Sequence, residues 1–200
     1  MPLVVSTVPA ITVIKIGGGL TAIPNALDQV CAAVAEASRE HRLLVVPGGG
    51  PFADSVRDFQ RRFGLSNDAA HQMALLAMDQ YGQVLAERIT DCVLLEEPGA
   101  IAAAVRRGRA GVLAPSRWMR SADVLPHTWD VTSDSIAAFV AGALEAGRLI
   151  LIKPARATNA LDPYFRLALP SDMPYQLLGA DEVGQLSSLL SESIAAGEPG

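Results

Sequence analysis

Apolar positions fall into short continuous runs separated by stretches of helical spacing. Residues 11–16 (ITVIKI) are β-branched and almost continuously apolar, the pattern of a strand buried on both faces. Glycines 17–19 end that run, and residues 22–40 then place Leu27, Val30, Val34 and Ala37 at helical spacing. A second apolar run at 43–46 meets Pro47-Gly48-Gly49-Gly50. Residues 52–63 follow as a helix, with Phe52, Val56 and Phe59 on one stripe and Gly64 at its end. Ser66 or Asn67 can cap a long helix through about Ile89, because both side chains accept from first-turn amides. Met73, Leu76, Ala77, Gln80 and Val84 read as the core stripe of that helix.

The second half repeats the pattern with shorter pieces. Strands are expected at 93–95, 112–114 and 149–152, and helices at 99–107, 133–146 and 181–195. Residues 115–131 read as irregular, and the last four residues as a frayed end. Strand and helix alternate without an internal repeat or a low-complexity linker. The fold class is therefore α/β: one domain over 1–200, with a mostly parallel central sheet sandwiched by helices. Ligands bind such sheets at the carboxyl ends of the strands. That directs attention to loops 17–21, 47–51, 115–134 and 153–164.

Composition narrows the function classes. The chain has 200 residues, a formal net charge of −5 and a hydrophobic fraction of 50%. That fraction excludes a disordered chain, and the acidic balance argues against a nucleic-acid partner. No apolar run reaches the roughly 18 residues of a spanning helix, and the start lacks a basic segment before its apolar run. The expectation is a cytoplasmic protein with no membrane partner. Cys31 and Cys92 read as buried free thiols, and no His/Cys spacing suggests a metal site. Of the 16 basic residues only Lys15 and Lys153 are lysines, and each follows an apolar run.

The candidate chemistry gathers at those loops. Gly17, Gly18 and Gly19 follow Lys15 and let backbone amides approach an anion closely. Gly48, Gly49 and Gly50 repeat the device after the next strand. Two adjacent glycine cradles suit two anionic groups brought together, the arrangement phosphoryl transfer needs. Neither loop matches GxxxxGK[ST] or GxGxxG. In Trp129-Asp130-Val131-Thr132-Ser133-Asp134-Ser135, Thr132 or Ser133 can cap a helix, while Asp134 can orient lysines or Mg²⁺ at reacting phosphates. Lys153, at a strand end, faces the ligand crevice. His71 is a candidate substrate contact, and one of Arg57, Arg61 and Arg62 could reach an acceptor phosphate. Arg106, Arg107 and Arg109 read as a solvated helix end.

VIKIGGGL at 13–20, LLVVPGGGPFADSVR at 43–57 and WDVTSDSIAAFVAGALEAG at 129–147 resemble, in this order, the amino acid kinase family. HQMALLAMDQYGQVLAER at 71–88 and TWDVTSDSIAA look most like its small branch containing the aminomethylfuran-phosphate kinase of methanofuran and methylofuran biosynthesis. The resemblance implies a three-layer fold, ATP as cofactor with Mg²⁺ carried by the nucleotide rather than by a direct protein ligand, and a homo-oligomer. It implies Lys15, Asp134 and Lys153 as catalytic residues. It also implies nucleotide phosphates at Gly17, Gly18 and Gly19, with the acceptor at Gly48, Gly49, Gly50, Asp130, Thr132 and His71. Residues 154–165 lack the D-x-D-G turn usual in the family, so the expected layout is an acceptor half at about 11–147 and a shortened nucleotide-binding half at about 148–200.

Three functions stay open at this point. One is an ATP-dependent phosphotransferase with a small-molecule phosphate acceptor, for which the branch implies an aminomethylfuran phosphate converted to its diphosphate. The others are a non-catalytic nucleotide- or anion-binding regulatory subunit and a carboxylate kinase that forms an acyl phosphate.

Overall fold

A computed structural model describes residues 10–106, 109–155 and 161–192. Six strands form one parallel sheet: β1 (Thr12–Ile16), β2 (Leu43–Pro47), β3 (Cys92–Leu95), β4 (Ala110–Leu113), β5 (Arg148–Lys153) and β6 (Tyr175–Gly179). The order across the sheet is β3-β4-β2-β1-β5-β6. The chain moves to one side of β1 first and to the other side at β5. The crevice at the carboxyl ends of β1 and β5 is thus the switch point where such sheets bind ligands.

The helices among the described residues are α1 (Ala26–Ala37), α2 (Gly50–Phe63), α3 (Asn67–Arg88), α4 (Pro98–Arg106), α5 (Ser116–Ala122), α6 (Ser133–Ala143), α7 (Phe165–Ala168) and α8 (Leu186–Ser191). Strand side chains alternate between two cores, as a period of two requires. Ile14, Ile16, Val45, Ile150 and Ile152 pack with α1 and α8, while Val13, Leu44, Val46, Leu149 and Leu151 pack with α4 and α6. The result is three layers, helix on sheet on helix.

Several elements differ from the sequence expectation, each for a packing reason. The first helix starts at Ala26 rather than 22, because Gly18–Ala22 forms a 3-10 turn against the second glycine loop. Residues 116–122, expected to be irregular, form α5. The helix is too short to show a period, and Asp79 of α3 anchors its start by accepting from the Ser116 amide at 2.9 Å and from the Ser116 hydroxyl. The sequence does not predict the strand β6; it is a half-exposed edge strand that, among the described residues, pairs with β5 alone. The expected helix 181–195 is a 3-10 turn over Ala180–Gln185 followed by α8, and its last residues lie outside the described ones, as does the frayed end. The Arg107 side of the arginine cluster also lies outside them.

The stripe on α3 is also displaced. Of the expected stripe Ala77 is buried, but Leu76 and Gln80 are exposed, and the rest of the buried side is Ala70, Leu75, Met78, Tyr81, Gly82 and Leu85. This helix crosses the carboxyl ends of β2 and β4, where a Cβ on Gly82 would lie 3.3 Å from the Leu113 carbonyl and 3.5 Å from Pro47. The crossing, not a count from Met73, sets its face. On α2 only Val56 of the expected stripe is buried. It packs with Ala53 toward α3, leaving Phe52 and Phe59 largely exposed.

Candidate active site

The two lysines meet at one carboxylate. Lys15 shares its strand face with Val13, and Lys153 shares its own with Leu149 and Leu151, so both point toward α6. Asp134 stands in the first turn of α6 on that same side. Lys15 Nζ lies 2.8 Å from Asp134 Oδ1, and Lys153 Nζ lies 2.6 Å from Oδ2. Side-chain exposures of 5%, 12% and 3% for Lys15, Lys153 and Asp134 make this a largely desolvated trio with one surplus positive charge.

Burial decides the electrostatics. Desolvation pulls the Lys15 ammonium down to about 8, against the attraction of Asp134 and with help from the charge of Lys153. Burial alone would raise Asp134, but the two ammonium groups outweigh it and hold the carboxyl below its ordinary value.

Beside the trio the two glycine loops touch. A Cβ on Gly18 would lie 2.2 Å from the Gly50 nitrogen, and one on Gly48 would lie 2.6 Å from the Gly18 nitrogen. No side chain fits between these backbones. Gly50 is also left-handed at φ +55°, which favours glycine. Two expected anion donors have other partners: the Gly17 amide donates to Ile152 O at 2.9 Å and the Gly48 amide to Ile16 O at 2.8 Å. Gly18, Gly19 and Gly50 stand instead in the first turns of the 3-10 segment and of α2, where amides have no helical partner.

A cleft of about 290 Å³ opens from these loops, lined by Gly18, Gly19, Gly49 and Gly50 at one end. Its walls are Ala53, Arg57, His71, Leu75, Met78, Trp129, Thr132 and Ile136, among others. The Arg57 guanidinium stacks over the Trp129 ring at 4.3 Å, and the Trp129 indole N–H donates to Gln60 Oε1 at 2.6 Å. His71 stacks on His127 with ring centroids 4.0 Å apart. His127 is held between Asp68 and Asp123 at 2.8 and 3.0 Å. Burial and then the neighbouring His127 lower the His71 pKa, whereas the hydrogen bond to Asp68 raises that of His127. Arg61 and Arg62 pair with Asp58 on the surface, away from the cleft lining.

The structure thus joins Lys15, Lys153 and Asp134 in one trio, and sets Thr132, His71 and four of the six glycines around the neighbouring cleft, whose lining does not include the trio. It does not bring in Asp130, which is exposed, does not line the cleft, and uses its backbone carbonyl to accept from the Tyr164 amide. Thr132 lies at the N-cap position of α6, but its side chain makes no capping bond to that helix. Its hydroxyl donates to Asp162 Oδ2 at 2.7 Å. Asp162 itself was not foreseen. It lies 28 residues from Asp134, in Leu161-Asp162-Pro163, and only the folded chain joins it to α6.

Residues 10–154 match the model of the Amino acid kinase family. The chain belongs to the amino acid kinase family. Over 177 residues it is 29% identical to the (5-(aminomethyl)furan-3-yl)methyl phosphate kinase of Methanocaldococcus jannaschii, spanning 88% of this chain and 78% of that relative. The fold is shared with the UMP kinase of Bacillus anthracis at a TM-score of 0.69 and 12% identity, covering 90% of this chain and 91% of that one. It is shared with the uridylate kinase of Archaeoglobus fulgidus at 0.57 and 16%, where 74% of this chain covers 64% of that protein's length. Within this amino acid kinase family member, no described helix is long and apolar enough to cross a membrane. Among the described residues no group of three or more His, Cys, Asp or Glu could hold a metal ion.

Proposed function

We propose that this protein transfers the γ-phosphoryl group of ATP to a small phosphomonoester, with an aminomethylfuran-methyl phosphate as the acceptor and its diphosphate as the product. The observation that carries the reading is the desolvated Lys15–Asp134–Lys153 trio beside two glycine loops that admit no side chain between them. The site suits polyphosphate. It offers surplus positive charge, first-turn amides and close backbone approach together. The acceptor class comes from the similarity to the archaeal kinase.

In this reading Lys15 and Lys153 neutralise charge on the transferred group, and Asp134 fixes where both ammonium groups stand. ATP supplies the phosphoryl group, and a Mg²⁺ on its phosphates supplies further neutralisation. The amides of Gly18 and Gly19 hold nucleotide phosphate, and Gly49 and Gly50 face the acceptor phosphate. An acceptor phosphate oxygen forms the new P–O bond as the bond to the ADP leaving group breaks, so no proton need be taken from the acceptor. That agrees with a centre of cations and amides whose one carboxylate, Asp134, is engaged by both ammonium groups. The mixed apolar and aromatic wall of the cleft receives the body of the acceptor, with Trp129, Arg57 and His71 at its polar edge.

Calorimetric titration with Mg·ATP, followed by ADP release with candidate acceptors, tests the reading. ADP release that depends on the furan phosphate, without product trapped by hydroxylamine, is the expected result. No ATP binding at millimolar nucleotide would leave a regulatory role. A hydroxylamine-trapped product would move the protein to the carboxylate kinases.

A further inference from the structure

We propose that Asp162 is a positioning residue for this transfer: its carboxylate clamps the first turn of α6 so that Asp134 stands between Lys15 and Lys153. The inference rests on the phosphotransferase reading for its kinetic consequence and on geometry for its structural part. Asp162 Oδ2 accepts from the Thr132 amide at 2.8 Å, the Thr132 hydroxyl at 2.7 Å and the Ser135 amide at 3.0 Å. Oδ1 accepts from the Ser135 hydroxyl. Hydrogen bonds to an ionised acceptor are the stronger kind, and four of them converge on one side chain. The Asp162 amide also donates to Asp134 Oδ2 at 3.3 Å, the same oxygen that Lys153 approaches.

The clamp takes the place of a local cap. Thr132 occupies the capping position yet turns its hydroxyl outward, so the turn bearing Asp134 is held by a residue from beyond β5. The segment that carries Asp162 is anchored independently of that carboxylate. The Phe165 ring is fully buried, and the Tyr164 amide donates to Asp130 O at 3.1 Å. A change confined to the carboxylate therefore alters the clamp and leaves the segment in place. The charges facing Lys15 are those of Asp134 and Lys153, and Asp162 is not among them. Ser135→Ala removes a donor to Asp162 without changing any charge, so a Lys15 shift in that variant reports the position of Asp134 rather than the lost charge of Asp162.

The lysine content supplies a direct readout, because the whole chain has only two lysines. Full-length protein labelled with ¹³C at lysine Cε gives two titrating signals, assigned with Lys153→Arg. In Asp162→Asn, loosening of Asp134 weakens its attraction for Lys15, and the Lys15 midpoint falls by about half a unit or more from its wild-type value. In the kinetic assay kcat falls about 100-fold, while KM for ATP changes by less than about threefold. Val34→Ala, which opens the opposite core, leaves the Lys15 midpoint unmoved despite its own loss of stability. A folded Asp162→Asn protein with the wild-type midpoint and kcat within about twofold of wild type overturns the proposal. Should that variant not fold, Ser135→Ala decides, since it removes one donor to the same carboxylate. A lowered midpoint supports the clamp and an unchanged one overturns it. Failure of wild-type turnover on the furan phosphate would count against the functional reading alone, because the titration needs no substrate.

Discussion

Lys15 and Lys153 stand on adjacent parallel strands, two residues apart in register, and reach opposite oxygens of the same Asp134 carboxylate. Strand alternation puts both on the α6 side, and the pairing of Lys15 with Leu151 fixes how far each must reach. Removing Asp134 leaves two buried ammonium groups facing one another. Asp134→Ala should therefore lose about 3–5 kcal/mol of stability in urea titrations as well as activity. Lys15→Ala should lower kcat by about 10²–10³-fold with the fold retained by circular dichroism. Near-normal turnover in either variant would refute the site.

Activity should be lost on the alkaline side well before an ordinary lysine deprotonates. The free enzyme holds Lys15 at about 8, chiefly through burial, so kcat/KM should fall as pH rises through that value. The sign for stability is opposite. Between about 8 and the ordinary lysine value of 10.5, the unfolded chain binds more protons at this group than the folded one, so its contribution to stability rises with pH. A pH–rate profile measured beside pH-dependent unfolding should show activity falling above pH 8 without a matching loss from this group.

The glycine loops should tolerate side chains very unequally. Gly18→Ala forces a methyl group to within 2.2 Å of the Gly50 backbone, parting the two loops. It should cost about 1–3 kcal/mol and abolish nucleotide binding in calorimetry. Gly64→Ala, at the left-handed end of α2 with open space around it, should cost about 1 kcal/mol and leave turnover intact.

Trp129→Ala should separate acceptor from nucleotide. It removes the ring beneath Arg57 and one aromatic wall of the cleft, without touching the trio. The acceptor KM should rise about 3- to 10-fold, and KM for ATP should stay near wild type in steady-state assays.

The strands bearing Lys15 and Lys153 could be read from apolar runs because strands buried on both faces leave no polar alternation to mistake. The trio's location followed from them, since a parallel sheet presents its strand ends as one edge. Its mutual geometry did not, because it depends on which face each lysine takes and on the entry angle of α6. The exposed Asp130 looks equivalent to Asp134 in sequence, four residues away. Only the first turn of α6 buries one and leaves the other in solvent. Asp162 carries no local signal at all, since its partners are distant in the chain. The strand β6 and the helix α5 are too short and too polar at their edges to show a period, and tertiary contacts settle both.

The most direct measurement is a ³¹P NMR time course of the full-length protein with Mg·ATP and (5-(aminomethyl)furan-3-yl)methyl phosphate. The account predicts a new diphosphate resonance that grows at the rate ADP appears and is absent with Asp134→Ala. ADP formation without that resonance, or no consumption of ATP by the wild-type protein, would contradict it.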